Sequence, residues 1–256
     1  MSMPSLGNTW LWLVLDLLYL PMVVLVAYSF NTAPYGTHWD QLGWQWYRHL
    51  RDDQALIDAT LNSLAVAALA ATVGTAIGTL GAVGLRLYRL PGRVFFQGLL
   101  FVTLMSPEIV MGVSLLVLFI AVGLPLGFGS LLLAHVTFCL PFVTVTVGSR
   151  LQDFDPRLLE AARDLGASEG QAIRHVVLPL ALPAIAAGWL LSFTLSLDDV
   201  VVSFFVTGPD FEVLPLRIYS MVRMGVKPEV NALAALLFCL SLMLVTVSRR
   251  LLSRKA

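Results

Sequence analysis

Long stretches without any charged side chain are the feature that most limits how this chain can fold. There are five of them: 17–37, 59–85, 109–149, 175–197 and 230–248. An α-helix needs about 20 apolar residues to cross a hydrocarbon core of about 30 Å, so each stretch is long enough for a crossing. Only 12% of the 256 residues are charged and 58% are hydrophobic, whereas soluble domains carry about 25% charged residues. These features predict an all-α polytopic membrane protein and argue against a soluble enzyme.

The third uncharged stretch is too long for one crossing, and a cluster of helix-breaking residues divides it. Gly123, Pro125, Gly127 and Gly129 predict a turn there, because Gly and Pro disfavour a continuous helix. We therefore split this stretch and extend its first half back through Glu108. The sequence then predicts one transmembrane domain over 1–256 with six spans, near 9–30, 57–85, 94–122, 130–149, 180–206 and 229–249.

The basic residues are distributed unevenly between the two ends of these spans. If the N-terminus lies inside, 11 of the 16 Lys and Arg residues fall in cytoplasmic segments and five in outer segments. Cytoplasmic loops of membrane proteins carry an excess of Lys and Arg. We therefore expect a multi-pass membrane protein with both termini in the cytoplasm. The outer segment 31–58 is rich in aromatic residues that suit the membrane–water interface: Tyr35, Trp39, Trp44, Trp46 and Tyr47.

The inner loop 150–179 concentrates charge in a chain that has little, with five acidic and four basic residues. Asp155 and Pro156 are typical of a helix start, and Gly166 is typical of the position just after a helix ends. Ser168 and Gln171 form a capping-box pattern that predicts a second short helix, ending near Leu178. A helix–turn–helix of mixed charge on the inner face suits docking to a soluble protein. Nucleic acid is not expected as a partner, since the loop has no basic excess.

The residues of this loop resemble a known motif. Glu160-Ala161-Ala162, Gly166 and Val176-x-Leu178-Pro179 are similar to the EAA loop of ABC-importer permeases, with Val176 where Ile is common. Segments 104–111 and 192–202 resemble the spermidine/putrescine (PotC-like) permease family, and so do 207–209 and 228–232. The similarity extends over essentially the whole chain.

This resemblance implies a type I ABC-importer permease fold in the bacterial inner membrane and a set of partners. The partners are a second permease in a heterodimer, cytoplasmic ATP-binding subunits, a periplasmic polyamine-binding protein and membrane lipid. It also implies that the loop couples to the ATPase, through matched positions Glu160, Ala161, Ala162, Asp164, Gly166, Ala167, Leu178 and Pro179.

No catalytic residue, cofactor or metal site is expected in the chain itself. A phosphate-binding P-loop requires GxxxxGK[ST], and the only two lysines, Lys227 and Lys255, are followed by Pro228 and Ala256. ATP hydrolysis would therefore occur in another subunit, and the chain is not expected to be an enzyme. His135 and His175 lack an acid or Cys at metal-ligand spacing and are interpreted as structural.

Several carboxyl groups fall within or at the edges of the predicted spans: Asp16, Glu108, Asp198 and Asp199. A charged carboxylate near the bilayer centre costs roughly 2.5–3.5 kcal/mol, so such residues commonly mark substrate or ion pathways. Spaced carboxylates suit a polyamine, which carries several ammonium groups on an alkyl chain. We assign Glu108 and Asp198, together with Asp199, to a polyamine path. Adjacent helix positions differ by about 100°, so we expect Asp198 and Asp199 to face different ways.

Other interpretations remain open from the sequence. The acids could instead form interhelical contacts or pair with a partner permease. The same importer class could carry another substrate, such as an inorganic ion. An ion-coupled secondary transporter with its own cation site is a further alternative, although it would not need the inner coupling loop.

Overall fold

The computed structural model describes residues 6–33, 38–88, 91–223 and 228–253, and these fold almost entirely into helices. The chain divides into two compact units, one formed by Asp58–Leu216 and the other by Met1–Ile57 with Arg217–Ala256. The longer helices are α1 (Leu6–Tyr28), α3 (Gln54–Leu87), α6 (Phe128–Arg150), α9 (Leu178–Asp198) and α12 (Pro228–Ser253). The shorter ones are α2 (Gln45–Asp52), α4 (Arg93–Met105), α5 (Glu108–Ala121), α7 (Arg157–Asp164), α8 (Glu169–Ala172), α10 (Val201–Val206) and α11 (Leu214–Arg223).

Among the described residues, four helical stretches are long and apolar enough to cross a membrane: Trp10–Tyr28, Gln54–Leu87, Phe128–Asp153 and Glu169–Asp198. They match the first, second, fourth and fifth predicted spans. Helix α12 matches the sixth, but its described apolar part, Pro228–Cys239, is shorter than a crossing. The described residues therefore contain four candidate spans, or five when α4 and α5 form one broken span.

The third predicted span, 94–122, is wrong as a continuous helix. Helix α4 ends at Met105, α5 starts at Glu108, and the two are bent by 113°. The cause is Pro107, because proline removes a backbone donor and pushes the preceding residue, Ser106, out of the helical region. Ser106 accordingly has extended backbone angles, with φ −68° and ψ 132°.

The fifth predicted span, 180–206, coincides with α9, which begins at Leu178 and follows α8 through a π-helical turn, Ile173–Val177. The helix does not reach Val206 unbroken, since Asp199 adopts an extended conformation (ψ 121°) and separates α9 from α10. The three β-branched residues after Asp199 have low helix propensity, which favours this break.

The core of the larger unit is built on α6, whose close neighbours are α3, α9 and α10. Gly78 on α3 lies so close to α6 that an added Cβ would stand 2.8 Å from Cβ of Val143. Small residues allow such close helix approach in lipid, and the glycines of the second span therefore serve packing within the chain. Buried apolar side chains form a cluster at each end of α6, centred on Leu131 and on Val147.

The smaller unit holds the aromatic segment in place through polar contacts. Trp46 donates its ring N–H to the Asn31 carbonyl at 2.7 Å, and the Tyr47 and Ser29 hydroxyls lie 2.6 Å apart. His49 of α2 lies 3.2 Å from Glu229 of α12. The aromatic segment thus includes the short helix α2, while Tyr35 lies outside the described residues.

Candidate functional site

The candidate coupling loop is a defined turn between two helices. Gly166 has a left-handed backbone (φ 84°), which glycine adopts at little cost. The Gly166 N–H donates to the Arg163 carbonyl and the Ala167 N–H to the Ala162 carbonyl, at 2.9 and 3.0 Å. This pair of bonds is a Schellman motif, which satisfies the last carbonyl groups of α7.

The next helix, α8, begins with the expected capping box. The Gln171 N–H donates to the Ser168 hydroxyl at 3.4 Å, and the Ser168 N–H donates to the Gln171 side chain at 2.8 Å. Two further contacts hold the loop in place, one within the loop and one to Tyr88 just after α3. Arg163 pairs with Glu169 at 2.7 Å, and the Tyr88 hydroxyl donates to the other Glu169 oxygen at 3.3 Å. Desolvation, and then the Glu169 charge, raise the pKa of the Tyr88 hydroxyl, so it remains a donor at neutral pH.

One face of α7 is anchored and another is open. Leu159 packs on the apolar cluster around Val147, which fixes the helix to the base of α6. On a different face, Leu158, Ala161 and Leu165 follow the i, i+3, i+7 spacing of one helix stripe and are exposed. Leu165 is 89% exposed. This stripe, Leu158–Ala161–Leu165, is an apolar surface at the tip of the loop and is called the α7 stripe below.

The remaining predicted coupling positions lie along the same segment. Glu160 and Asp164 are exposed on α7, Ala162 and Ala167 are partly buried, and Leu178 and Pro179 open α9. The structure thus brings together the α7 positions and Gly166, whereas Leu178 and Pro179 belong to the base of α9.

The second candidate site lies where two helices break. Helices α9 and α10 run antiparallel to α6, since Gly188 faces Val143 on α6 and the Ser130 hydroxyl donates to the Val206 carbonyl at 2.8 Å. Helix α5 reaches α6 through the short turn 122–127 and also packs on α10. Both α5 and α10 are therefore antiparallel to α6 and run in the same direction.

The two candidate acids lie at the starts of these two helices in the chain: Glu108 is the first residue of α5, and Asp198 is the last residue of α9, just before the break that precedes α10. A Cβ added at Gly112 of α5 would lie 3.4 Å from Cα of Val202 of α10. Glu108 stands four residues before Gly112, and Asp198 stands four residues before Val202. Both carboxyl groups belong to exposed residues, and each adjoins a break in its span.

Asp199 faces the other way from Asp198 and is only 7% exposed. Its carboxylate accepts backbone N–H bonds from Val202 and Ser203, at 3.2 and 2.7 Å, and so caps the start of α10. The two acids differ in exposure because Asp198 ends α9 whereas Asp199 lies in the extended break after it.

A buried polar cluster surrounds Asp199, and sequence reasoning missed it. His135 of α6 lies 3.5 Å from the Asp199 carboxylate through Nε2, and its ring nitrogens lie 2.7 Å from the Ser196 hydroxyl and 3.1 Å from the Ser203 hydroxyl. The cluster joins α6 to both sides of the α9–α10 break. The only signal of this cluster in the sequence was the position of Asp199, four residues before Ser203, where it can cap a helix. The link to His135 spans 64 positions and leaves no local pattern, so His135 appeared to lack an acid partner.

Comparison with known proteins gives consistent results. Residues 74–256 match the family described as "binding-protein-dependent transport system inner membrane component". The chain is 55% identical over 255 residues to the spermidine/putrescine transport system permease protein PotC of Haemophilus influenzae, covering 100% of this chain and 99% of that protein. It is 43% identical to the putrescine transport system permease protein PotI of Escherichia coli (strain K12), covering 92% and 88% of the two chains.

Solved structures support the fold. A chain of a bacterial ABC transporter involved in the import of the acidic polysaccharide alginate aligns with a TM-score of 0.73 at 16% identity, covering 98% of this chain and 99% of that one. A chain of the MetNI methionine ABC transporter aligns with a TM-score of 0.62 at 21% identity, covering 78% and 94%. Both relatives are permease proteins of transport systems. This chain belongs to the family of binding-protein-dependent transport system inner membrane components, as an ABC-importer permease.

Proposed function

We propose that this chain is one permease subunit of an ATP-driven polyamine importer and forms part of the path for putrescine or spermidine. The observation that carries the proposal is the 55% identity, over the full chain, to a spermidine/putrescine permease. The charge of the chain agrees with a cationic substrate, because the charged side chains within the six predicted spans are almost all acidic.

The proposal includes six crossings with both termini in the cytoplasm. Helices α4 and α5 would form one crossing broken at Pro107, and α12 would form the last. The excess of 11 over five basic residues supports this orientation. It places the coupling loop 150–179 inside and the breaks near Glu108 and Asp198 within the membrane.

The α7 stripe would dock into a cytoplasmic ATP-binding subunit. Its support is geometric: an exposed apolar stripe stands on a helix whose opposite side is fixed to α6 through Leu159. A helix anchored in this way moves with the base of the membrane helices, so motion of the ATPase would reach α6 and α9. Gly166 would allow the sharp turn that presents the end of the helix.

Glu108 and Asp198 would line the polyamine path, and Asp199 would hold the break that positions Asp198. Two exposed carboxylates, each next to a break in its span, offer separated charges for the ammonium groups of one polyamine. The path would be completed by a second permease in a heterodimer. A periplasmic polyamine-binding protein would deliver the substrate.

Asp198→Asn and Glu108→Gln are each expected to lower polyamine uptake about tenfold. Each change removes a charge-assisted hydrogen bond to an ammonium group, which is worth about 1.5 kcal/mol or more. Initial rates of labelled spermidine uptake, in cells producing equal amounts of each permease, measure the effect. Asp16→Asn is the control, since Asp16 is an exposed acid on α1 and should leave uptake unchanged. Normal uptake in both variants would contradict the assignment of the path.

A further inference from the structure

A groove at one end of the larger unit is not used by the proposed transport function. It lies between the last turn of α3, the first turns of α4 and the last turns of α6, with a volume of about 460 Å³. Helix α6 ends there at Arg150, where the coupling loop begins. The groove therefore lies at the ends of membrane helices, on the side that carries the loop.

The groove is basic. Arg86 and Arg93 both line it, and no acidic side chain is among the described residues of its wall. Within the described part of the chain, neither guanidinium forms an ion pair. Gln97, Ser149 and Gln152 add neutral donors to the same wall. Two arginines without a carboxylate partner attract an anion and repel a polyamine, so the groove does not suit the transported cation.

The rest of the groove is apolar. Leu100, Phe101 and Leu104 of α4 face it together with Val145 of α6. Phe101 and Val145 are 64% and 51% exposed, so the apolar wall is open at its side. The guanidinium groups belong to residues at helix ends, and the apolar wall continues along helices that cross the membrane. This order, basic at the end and apolar along the helix, matches a phosphate head group followed by acyl chains.

We propose that this groove binds an anionic phospholipid of the inner leaflet, with its phosphate between Arg86 and Arg93 and an acyl chain along α4 and α6. Basic pockets between transmembrane helices on the cytoplasmic side are suited to anionic lipid head groups. The inner-leaflet location rests on the proposed orientation, whereas the lipid chemistry rests on the groove alone. The lipid would fill the space between α4 and α6 next to the loop that meets the ATPase.

Native mass spectrometry of the purified importer complex tests this site. Palmitoyl-oleoyl phosphatidylglycerol and phosphatidylcholine, which share acyl chains, are titrated separately in detergent, with inorganic phosphate as a third arm. We expect preferential binding of phosphatidylglycerol, weakened about fivefold by either Arg86→Gln or Arg93→Gln and about 25-fold by both. Arg150→Gln is the matched control, because Arg150 stands at the same end of α6 but lines a different depression.

The outcomes separate the lipid from other occupants. Equal binding of the two lipids, or unchanged phosphatidylglycerol binding in the double variant, overturns the proposal. Binding of phosphate alone as tightly as the lipid also overturns the proposal. So does the failure of lipid to bind because the partner permease covers the groove. Because Arg86→Gln changes an exposed side chain at a helix end, this single variant keeps the test valid if the double variant does not assemble. The readout is binding, so its failure is distinct from a failure of polyamine transport.

Discussion

Replacing Ala161 by arginine is expected to abolish ATP-driven polyamine uptake while leaving the permease folded. Ala161 lies in the α7 stripe and is exposed, so the longer side chain disturbs no contact within the described chain. Arginine has nearly the helix propensity of alanine, and surface changes of this kind are usually within about 0.5 kcal/mol of neutral. The charged side chain would instead occupy the space needed by a docked ATPase. Co-purification of the ATP-binding subunit and spermidine uptake should therefore both fall, by at least tenfold.

Gly170→Arg provides the control for the effect on docking. Gly170 is an exposed position of α8, and an added Cβ would meet no atom within 4 Å. This variant adds the same side chain to the same loop, away from the α7 stripe, and should retain the ATPase. If Ala161→Arg keeps both the ATPase and uptake, the α7 stripe is not the docking surface.

Replacing Asp199 by alanine is expected to destabilise the permease by about 3 kcal/mol. The change removes the cap of α10 and leaves two backbone N–H groups and the His135 ring without a carboxylate in a buried site. Loss of a cap costs about 1 kcal/mol, and leaving the buried His135 ring without its carboxylate adds about 1–3 kcal/mol. Unfolding of the purified permease in mixed micelles, followed by circular dichroism, measures the change.

The neighbouring acid gives a matched comparison in the same experiment. Asp198→Ala should change stability by less than about 0.5 kcal/mol, because Asp198 is exposed. Asp199→Asn keeps one acceptor oxygen and should fall between the two alanine variants. Equal stability of the Asp199→Ala and Asp198→Ala variants would show that Asp199 does not hold the α9–α10 break.

The parts of the fold that depend on local chemistry could be predicted from the sequence. Gly166 and the Ser168–Gln171 capping box predicted the end of α7 and the start of α8 correctly, since a helix terminus is determined by a few adjacent residues. The turn after Val122 was equally visible in its Gly and Pro residues. Four predicted spans coincide with long apolar helices for the same reason: their length and hydrophobicity are local properties.

The features that could not be predicted depend on contacts between distant residues. The span 94–122 was predicted as one helix, but whether Pro107 bends that helix or ends it depends on what packs against the segments on either side. The Asp199 break is stabilised by His135, and that contact exists only once α6 and α9 have packed. The groove of Arg86 and Arg93 likewise requires three helices to meet, so its basic character was counted only as part of the inner positive charge.

Uptake by a reconstituted complex tests the central claim most directly. This chain, its partner permease and the ATP-binding subunits are placed in proteoliposomes that enclose ATP, with polyamine-binding protein and labelled spermidine outside. We predict uptake that requires both enclosed ATP and the binding protein, and that is unchanged when ionophores dissipate the ion gradients. Uptake that persists without ATP and collapses with the gradients would contradict the importer mechanism and indicate an ion-coupled carrier.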